Sequence, residues 1–191
     1  MKQAGMKQLF FLLFTVLAIA PPLRSEVSPI HMAVEQTSKT EMKPKALWDK
    51  TQVRSLMIRL TNNSAESFDG LVVKYWFFGR DVTDQDVKVL NHGERKSSLT
   101  PRGKDFVESE TVSSSYVEAH SEISGGKSKG KGGGAAKRVP ASGKKIMGYA
   151  VQVLQGGKVL AETYSEPSYK QRLAEAPAPA ATPAAAPKRK K

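Results

Sequence analysis

The sequence predicts an all-β protein, an antiparallel β-sandwich of immunoglobulin-like or fibronectin-like kind. Two segments, 28–37 and 52–61, alternate apolar and polar residues with the period of two that a half-buried strand shows. The run 71–78 (LVVKYWFF) is apolar on both faces apart from Lys74, as expected for a strand in the middle of a sandwich. Gln155-Gly156-Gly157-Lys158 predicts a hairpin turn, because glycine adopts a positive φ without steric cost.

The other elements follow along the chain. Asn62-Asn63-Ser64 supplies residues that tolerate turn geometry, so the second strand should end there. Helix is predicted only at 46–50 and 169–176, both short. About seven or eight strands result, which fits a sandwich. The later strands are predicted at 87–90, 104–119, 146–154 and 159–164.

Residues 1–25 are predicted to be a secretory signal peptide. A positively charged start precedes twelve uncharged residues at 9–20, and Pro21-Pro22 then breaks any helix. The uncharged run is shorter than the roughly 20 residues that span a bilayer, which argues against an uncleaved membrane anchor. Cleavage is expected after Ser25, since cleavage after Ala20 would leave a proline at the new N-terminus. We therefore expect export to the periplasm, the cell surface or the medium.

A type IV prepilin leader is the alternative interpretation of this segment. Gly5 and Met6 precede the apolar run, as at a prepilin cleavage point. Prepilins carry Glu at the fifth mature position, where this chain has Phe10, and Pro21-Pro22 would stop the helix that pilins retain. These two departures favour the secretory signal.

The positive charge is concentrated in two segments. The chain has 30 Lys plus Arg against 18 Asp plus Glu. Segment 125–145 holds seven cations and no acid, and segment 174–191 holds four cations and one acid. Residues 26–124 and 146–173 together hold 16 basic and 17 acidic residues, so the folded part is expected to be nearly neutral.

Both basic segments are predicted to be disordered. The loop 125–145 is rich in Gly and Lys, and the tail 174–191 is rich in Ala and Pro. The predicted organisation is therefore a signal peptide at 1–25, a β-sandwich domain at 26–173 that includes the loop, and a disordered tail with a basic end at 174–191.

The cations of these segments form a candidate site for acidic glycans or other polyanions. A flexible run of Lys attracts phosphate, sulfate or carboxylate polymers by counterion release. Alternatively, the charges only keep the segments soluble and extended. The candidate residues are Lys127, Lys129, Lys131, Lys137, Arg138, Lys144, Lys145, Lys188, Arg189, Lys190 and Lys191.

The sequence carries no signature of an enzyme, a metal site or a cofactor site. The absence of Cys excludes disulfides, a thiol nucleophile and thiolate-bound zinc. The histidines lie apart: His92 in a predicted surface turn, His31 and His120 at strand positions expected to be exposed. The acidic run 81–86 matches only the first half of an EF-hand loop, because it lacks the central Gly and the closing Glu. We expect no catalytic residue, metal, cofactor or small-molecule substrate.

Aromatic residues of the run 71–78 form a second candidate site. Alternation places Tyr75 and Phe77 on one face and Trp76 and Phe78 on the other. One pair should fill the core, while the other is either covered or exposed as a platform for sugar stacking. Trp48 or Tyr149 would supply a further aromatic ring. The candidate platform residues are Trp48, Trp76 and Phe78.

Three segments carry a resemblance: 56–63 (LMIRLTNN), 69–79 (DGLVVKYWFFG) and 148–153 (GYAVQV). They resemble exported immunoglobulin-like β-sandwich proteins of envelope-associated bacterial loci, some encoded beside type IV pilus-like genes in mucin-degrading gut bacteria. The resemblance covers residues 28–168. It implies an adhesion or assembly role, with envelope proteins or the chain itself as partners, and no catalytic residues.

Two functional interpretations follow. The leading one is a non-enzymatic exported β-sandwich that acts by contact, as a structural, adhesive or assembly component of the bacterial cell envelope. The alternative is a glycan- or polyanion-binding module that uses the basic loop and tail or an exposed aromatic face. A free edge strand or an exposed apolar patch would favour the first, and a concave aromatic face the second.

We predict that the exported protein lacks its first 20 to 25 residues, because signal peptidase removes such segments. Intact-mass measurement of the protein recovered from the envelope or the medium tests this. A species that begins at Met1 or Met6 would contradict it.

Overall fold

Antiparallel β-strands make up most of the chain in the computed structural model, which describes residues 28–44, 46–123 and 136–175. The predicted signal peptide, residues 124–135 of the basic loop and residues 176–191 of the tail lie outside these ranges. The described elements are β1 (Ile30–Lys43), β2 (Ala46–Asn62), β3 (Phe68–Asp81), β4 (Val87–Leu99), β5 (Lys104–Glu108), β6 (Val112–Val117), β7 (His120–Ile123), β8 (Ala136–Val139), β9 (Ser142–Gln155), β10 (Lys158–Tyr164) and α1 (Ser168–Glu175).

One layer of the sandwich is built around β2. β1 pairs along one side of β2, from Ile30 opposite Asn62 to Lys43 opposite Ala46. The other side of β2 is shared by two shorter strands, because β5 pairs with residues 57–61 and β6 with residues 49–54. This layer is therefore three strands wide, with β1 at its edge.

The second layer has the strand order β10-β9-β3-β4. Gly156 and Gly157 connect β9 to β10 with φ values of 56° and 86°, conformations that favour glycine. One layer of the sandwich thus consists of β1, β2, β5 and β6, and the layer that faces it consists of β3, β4, β9 and β10. This division matches the two sheets of immunoglobulin-like sandwiches and confirms the predicted fold class.

The two layers are joined at one corner, where β9 starts beside β6 and Gly143 pairs with Tyr116. Gly143 has a φ of 92°, and a Cβ there would lie 2.5 Å from the carbonyl oxygen of Ser115, so only glycine fits. Close by, the buried side chain of Gln52 accepts a hydrogen bond at 2.8 Å from the backbone N–H of Ile146. A buried amide that bridges two sheets in this way fixes their relative position.

The inner faces of both layers meet in one apolar core. On β2, buried Leu56, Ile58 and Leu60 alternate with exposed Met57 and Arg59, as the period of two predicts. The other layer contributes side chains of β3 and β9 to the same core. Its members at 0% exposure are Leu71, Val73, Tyr75, Phe77, Val151 and Val153.

Tyr75 spans the core between the layers. Its ring lies over Gly93 of β4, where an added Cβ would be 2.3 Å from the phenolic oxygen. That oxygen accepts a hydrogen bond at 3.1 Å from the backbone N–H of Glu110, between β5 and β6. Gly93 is therefore required by side-chain packing. The predicted turn at Asn91-His92-Gly93 is wrong, since these residues lie within β4, with His92 exposed.

The helix α1 covers part of the outer face of the second layer. Tyr169 and Leu173, four residues apart and thus on one helix face, pack on this sheet. The ring of Tyr169 stacks on Phe78 with centroids 4.5 Å apart and planes 11° apart. Gly148 makes room for it, because a Cβ there would lie 2.5 Å from the Tyr169 ring. Helix prediction at 169–176 is confirmed within one residue.

Two other predicted segments differ from the structure. Residues 46–50 form the start of β2, because β1 on one side and β6 on the other supply hydrogen-bond partners that local sequence does not reveal. Within the predicted loop 125–145, β8 and the first residues of β9 are strands. β7, which precedes the loop, pairs with β8 inside it, so the two strands form a two-stranded ribbon.

Replacing Phe77 by Ala should lower the free energy of unfolding by about 2 to 4 kcal/mol, through lost burial and the cavity left behind. Val151→Ala should have a similar sign and a smaller size. Phe106→Ala is the matched control, since Phe106 is 62% exposed and its loss should change stability by less than about 0.5 kcal/mol. Urea unfolding followed by circular dichroism measures all three. Equal effects of Phe77→Ala and Phe106→Ala would contradict the assigned core.

Replacing Tyr169 by Ala should uncover Trp76, which is 9% exposed beneath the helix. In a Trp48→Phe background, Trp76 is the sole tryptophan, and its fluorescence should shift to longer wavelength while the far-ultraviolet sheet spectrum is kept. Gln171→Ala, at an exposed position of the same helix, should leave the emission unchanged. An unshifted emission in Tyr169→Ala would show that α1 does not shield this face.

Candidate partner-binding surface

The β1–β2 hairpin continues beyond the packed core. On β1, core packing ends after Val34, and every residue from Thr37 to Pro44 is exposed. Seven of them, residues 37–43, belong to β1 and correspond to about 23 Å of strand at roughly 3.3 Å per residue. We call residues 37–44 and 46–50 the hairpin end.

Three large apolar side chains are exposed at the hairpin end. Met42 is 58% exposed, Leu47 is 63% exposed and Trp48 is 46% exposed. They lie within seven residues of sequence, on the two strands that meet at the turn. Because Leu47 and Trp48 are consecutive in β2, they point to opposite faces of the hairpin, so the apolar side chains are divided between its two faces. Exposed apolar side chains near one another are typical of contact surfaces, whereas single ones are common on any protein.

The base of the hairpin end is held by β7. The Trp48 ring stacks on His120 with centroids 5.2 Å apart and planes 9° apart. The carbonyl oxygen of Trp48 accepts a hydrogen bond at 2.9 Å from the Glu118 backbone N–H, and the Glu118 carboxylate lies 2.7 Å from Lys50 Nζ. His120 was expected to be exposed. Its side chain is only 9% exposed, because it is covered by this stack.

Ion pairs offset the charges of the hairpin end. Lys43 Nζ contacts Asp49 at 2.5 Å, across the turn between the strands. Lys39 Nζ contacts Glu41 at 2.8 Å along β1, and both side chains remain more than half exposed. Each partner stabilises the charged form of the other: the pKa of Lys39 is raised by its hydrogen bond to Glu41, and the pKa of Glu41 is lowered by the same bond.

The described cations of the predicted polyanion site do not form a continuous basic surface. Lys137 lies on β8 opposite Glu122, and Arg138 lies opposite Ser121. Lys144 on β9 is paired with Asp81 of β3. Lys145 is half-buried, with Nζ 5.5 Å from the centroid of the Tyr116 ring.

The other members of that site lie outside the described residues. They are Lys127, Lys129 and Lys131 of the loop and Lys188, Arg189, Lys190 and Lys191 of the tail. Polyanion binding therefore stays a prediction.

The structure does not assemble the predicted aromatic platform. Phe78 is fully buried under Tyr169, and Trp76 is 9% exposed. Trp48 belongs to β2, in the other layer, and stacks on His120. Tyr149 packs against the inner core. The outer aromatic pair is covered by α1, the first of the two arrangements that the alternation allowed.

A cleft of about 760 Å³ remains between α1 and the sheet beside Trp76. A hydrogen-bond network lines it: Lys170 contacts Glu162, and the Tyr164 hydroxyl donates to Glu162 at 2.9 Å while accepting from Gln152 at 3.1 Å. The Lys170 bond, followed by those of Tyr164 and Gln152, lowers the pKa of Glu162. These groups satisfy one another, so the network serves to hold α1 on the sheet.

A second tether fixes the other side of the helix. Arg172 Nη1 donates at 3.2 Å to Asp86 and at 3.0 Å to the carbonyl oxygen of Val87. Hydrogen bonds from Lys88 and then Arg172 lower the pKa of Asp86. The acidic run 81–86 is thus partly engaged in holding the fold.

The described ranges contain no group of three or more His, Asp or Glu side chains placed to hold a metal ion. In the acidic run, Asp81 accepts hydrogen bonds from the backbone and hydroxyl of Thr83, which lower its pKa. Among the same residues, no helix has the length and apolar character needed to cross a membrane.

Sequence reasoning missed Met42 and Leu47. The signal is the fading of the period-two pattern after residue 36, together with apolar residues on both sides of the sequence Lys-Pro-Lys. A helix predicted at 46–50 is incompatible with this hairpin, because the same residues form the start of β2.

The chain matches no family model and no curated protein. Among solved structures it is similar to a crystal structure of a protein from Akkermansia muciniphila, with 16% identity over 78% of this chain and 77% of that chain and a TM-score of 0.35. It is also similar to an X-ray structure of a structural-genomics target, with 11% identity over 62% of this chain and 86% of that chain and a TM-score of 0.31. Likenesses this distant assign no function to the chain.

Proposed function

We propose that this protein is an exported, non-enzymatic β-sandwich that acts by contact, as a structural, adhesive or assembly component of the bacterial cell envelope. The observation that carries the proposal is the hairpin end, where Met42, Leu47 and Trp48 are exposed together. Contact with a partner through these side chains requires no catalytic group.

The energetics support a contact surface at this place. Burying a large apolar side chain is worth about 1.5 to 3 kcal/mol. The chain uses that gain elsewhere, since Tyr75, Phe77 and Phe78 are completely buried. The apolar residues of the hairpin end gain it only when another surface covers them. A partner that covers these side chains gains part of that free energy, and it gains less from Trp48, which His120 already covers in part.

Export is supported by the sequence rather than by the described residues. Residues 1–25 have the pattern of a secretory signal, and the resemblance of segments 56–63, 69–79 and 148–153 is to exported envelope proteins. The proposed compartment is therefore the periplasm or the cell surface, where a contact protein meets its partners.

The described residues support a contact function better than glycan or polyanion binding. Among the described residues, Phe78 and Trp76 are covered by α1 and offer no concave aromatic face. Lys137 and Lys144 lie opposite the acids Glu122 and Asp81. Neither arrangement concentrates what a sugar ring or a polyanion needs.

Removing the exposed apolar groups of the hairpin end should release the protein from the envelope. We expect the double variant Met42→Ser/Leu47→Ser, introduced into the full-length chain in its own bacterium, to shift from the envelope fraction to the soluble exported fraction. The physical reason is the loss of about 1.5 to 3 kcal/mol of burial per side chain at the interface.

Phe106→Ser is the matched control, since Phe106 is as exposed as Leu47 but lies on β5, away from the hairpin end. Fractionation followed by immunoblotting, with circular dichroism of the purified variants, gives the readout. The proposal fails if the folded double variant and Phe106→Ser distribute between the fractions as the unmodified protein does.

A further inference from the structure

The second half of β1, residues 37–43, has one edge without a strand partner among the described residues. Among the described residues β1 pairs only with β2. The first residues of β1 lie close to β10, where Ser28 Oγ donates a hydrogen bond at 2.7 Å to the carbonyl oxygen of Leu160. Residues 37–43, which follow Gln36, are all exposed, so both faces of this stretch are open to solvent. This stretch, the free edge, presents a row of backbone N–H and C=O groups that another strand would satisfy.

The charges of the free edge are complementary to those of a second copy that runs antiparallel to it. If two copies pair antiparallel about Thr40, Lys39 of each copy lies opposite Glu41 of the other. In the same register Ser38 lies opposite Met42, and Thr37 opposite Lys43. Two opposite-charge cross-strand pairs thus form without any like-charge pair.

Neighbouring registers either set like charges opposite each other or shorten the ladder. Pairing centred on residue 39 sets Lys39 against itself, and pairing centred on Glu41 sets two glutamates face to face. Pairing centred on Met42 sets Lys43 opposite Glu41, but it brings Pro44, which has no N–H, into the ladder and leaves a shorter paired segment. Because side chains alternate between faces, an intermediate register would oppose residues that point to different faces.

The geometry already shows that the two charged side chains reach each other. Within one chain Lys39 Nζ and Glu41 lie 2.8 Å apart along the strand, with side chains 71% and 55% exposed. Opposite residues of an antiparallel pair are closer, with Cβ atoms about 4.5–5.5 Å apart. Lys39 and Glu41 can therefore replace their ion pair within one strand by two ion pairs with Glu41 and Lys39 of the second copy.

We propose that the free edge of β1 binds a second copy of this chain, antiparallel about Thr40, so that two three-stranded layers join into one continuous sheet. This inference rests on the proposed function and names its partner. The interface is related by a two-fold axis and uses the same surface on both copies, as in most homodimers. Strand addition of this kind draws its affinity from backbone hydrogen bonds and its register from side chains.

The association should be concentration dependent. Seven residues per copy form a small contact, and interfaces that bury less than about 1,200 Å² are typically weak or transient. Met42, which lies at the margin of this ladder, adds apolar burial to each half. We therefore expect a reversible dimer that accumulates as the protein concentration rises.

Charge reversal tests the register. Sedimentation velocity of the purified product of the full-length chain, over about 1 to 200 µM, should show a dimer for the unmodified protein. Lys39→Glu alone or Glu41→Lys alone sets like charges opposite each other at two positions and should weaken dimerisation about tenfold or more. The double variant Lys39→Glu/Glu41→Lys restores both opposite-charge pairs with unchanged net charge, and it should dimerise like the unmodified protein.

Mixing supplies an independent readout. The two single variants, each monomeric alone, should form a heterodimer when combined, because each then opposes the other's charges. Lys96→Glu, an exposed charge reversal on β4, is the control and should leave the dimer intact. Circular dichroism verifies that every variant is folded.

Three outcomes would overturn the inference: a monomer at all concentrations, a dimer that the single reversals leave unchanged, or a double variant that stays monomeric although folded. If the protein is monomeric while Met42→Ser/Leu47→Ser still releases it from the envelope, a different partner occupies the hairpin end and the proposed function stands. If it dimerises as described but the serine variant stays in the envelope, the proposed function fails while the pairing holds.

Discussion

β3 must be covered on both faces, and most of the architecture depends on that requirement. Because successive side chains of β3 point to opposite faces, Tyr75 and Phe77 lie between the two layers. Trp76 and Phe78 lie on the outer face of the second layer. The first pair is covered by the sheet of β1, β2, β5 and β6. The second pair would be exposed to water if α1 did not place Tyr169 on Phe78. A strand without a polar face thus requires both a second sheet and a helix, and the chain supplies them on opposite sides.

Tyr75 connects this packing requirement to the register of the strands. Its ring occupies the space that any side chain at Gly93 would need, so β4 must present a glycine at the position opposite Tyr75. Its hydroxyl group, buried in the core, needs a partner and finds it in the Glu110 backbone N–H. Since Glu110 lies where the chain passes from β5 to β6, one side chain aligns β3, β4 and the β5–β6 connection.

The sequence correctly predicts those elements whose side chains alternate between the core and the solvent. Leu56, Ile58 and Leu60 recur at every second position because one face of β2 packs in the core. The glycines at 156–157 are predictable because the turn itself requires their positive φ values. Residues 46–50 carry no such pattern, because their side chains lie outside the core and only pairing with β1 and β6 defines them as strand. Gly93 was interpreted as a turn residue for the same reason: the demand on it comes from Tyr75, 18 positions away in sequence. The outer aromatic pair was placed on the correct face, but the ring that covers it comes from α1, which periodicity within β3 cannot reveal.

β1 combines two strands of different character in one. Its first part contributes Ile30, Met32 and Val34 to the core, and its pattern is that of a half-buried strand. Its second part, residues 37–43, buries nothing between the layers, although fixing each residue of a strand costs about 1–2 kcal/mol of conformational entropy. The ladder to β2 offsets part of that cost. The facing residues of β2 are needed by the fold, because residues 49–54 pair with β6 and Gln52 bridges to β9, but residues 37–43 add no buried side chain of their own. An exposed edge of this length, with Lys39 and Glu41 arranged around Thr40 and apolar side chains near the turn, is better explained by a surface that a partner completes than by the stability of the isolated sandwich.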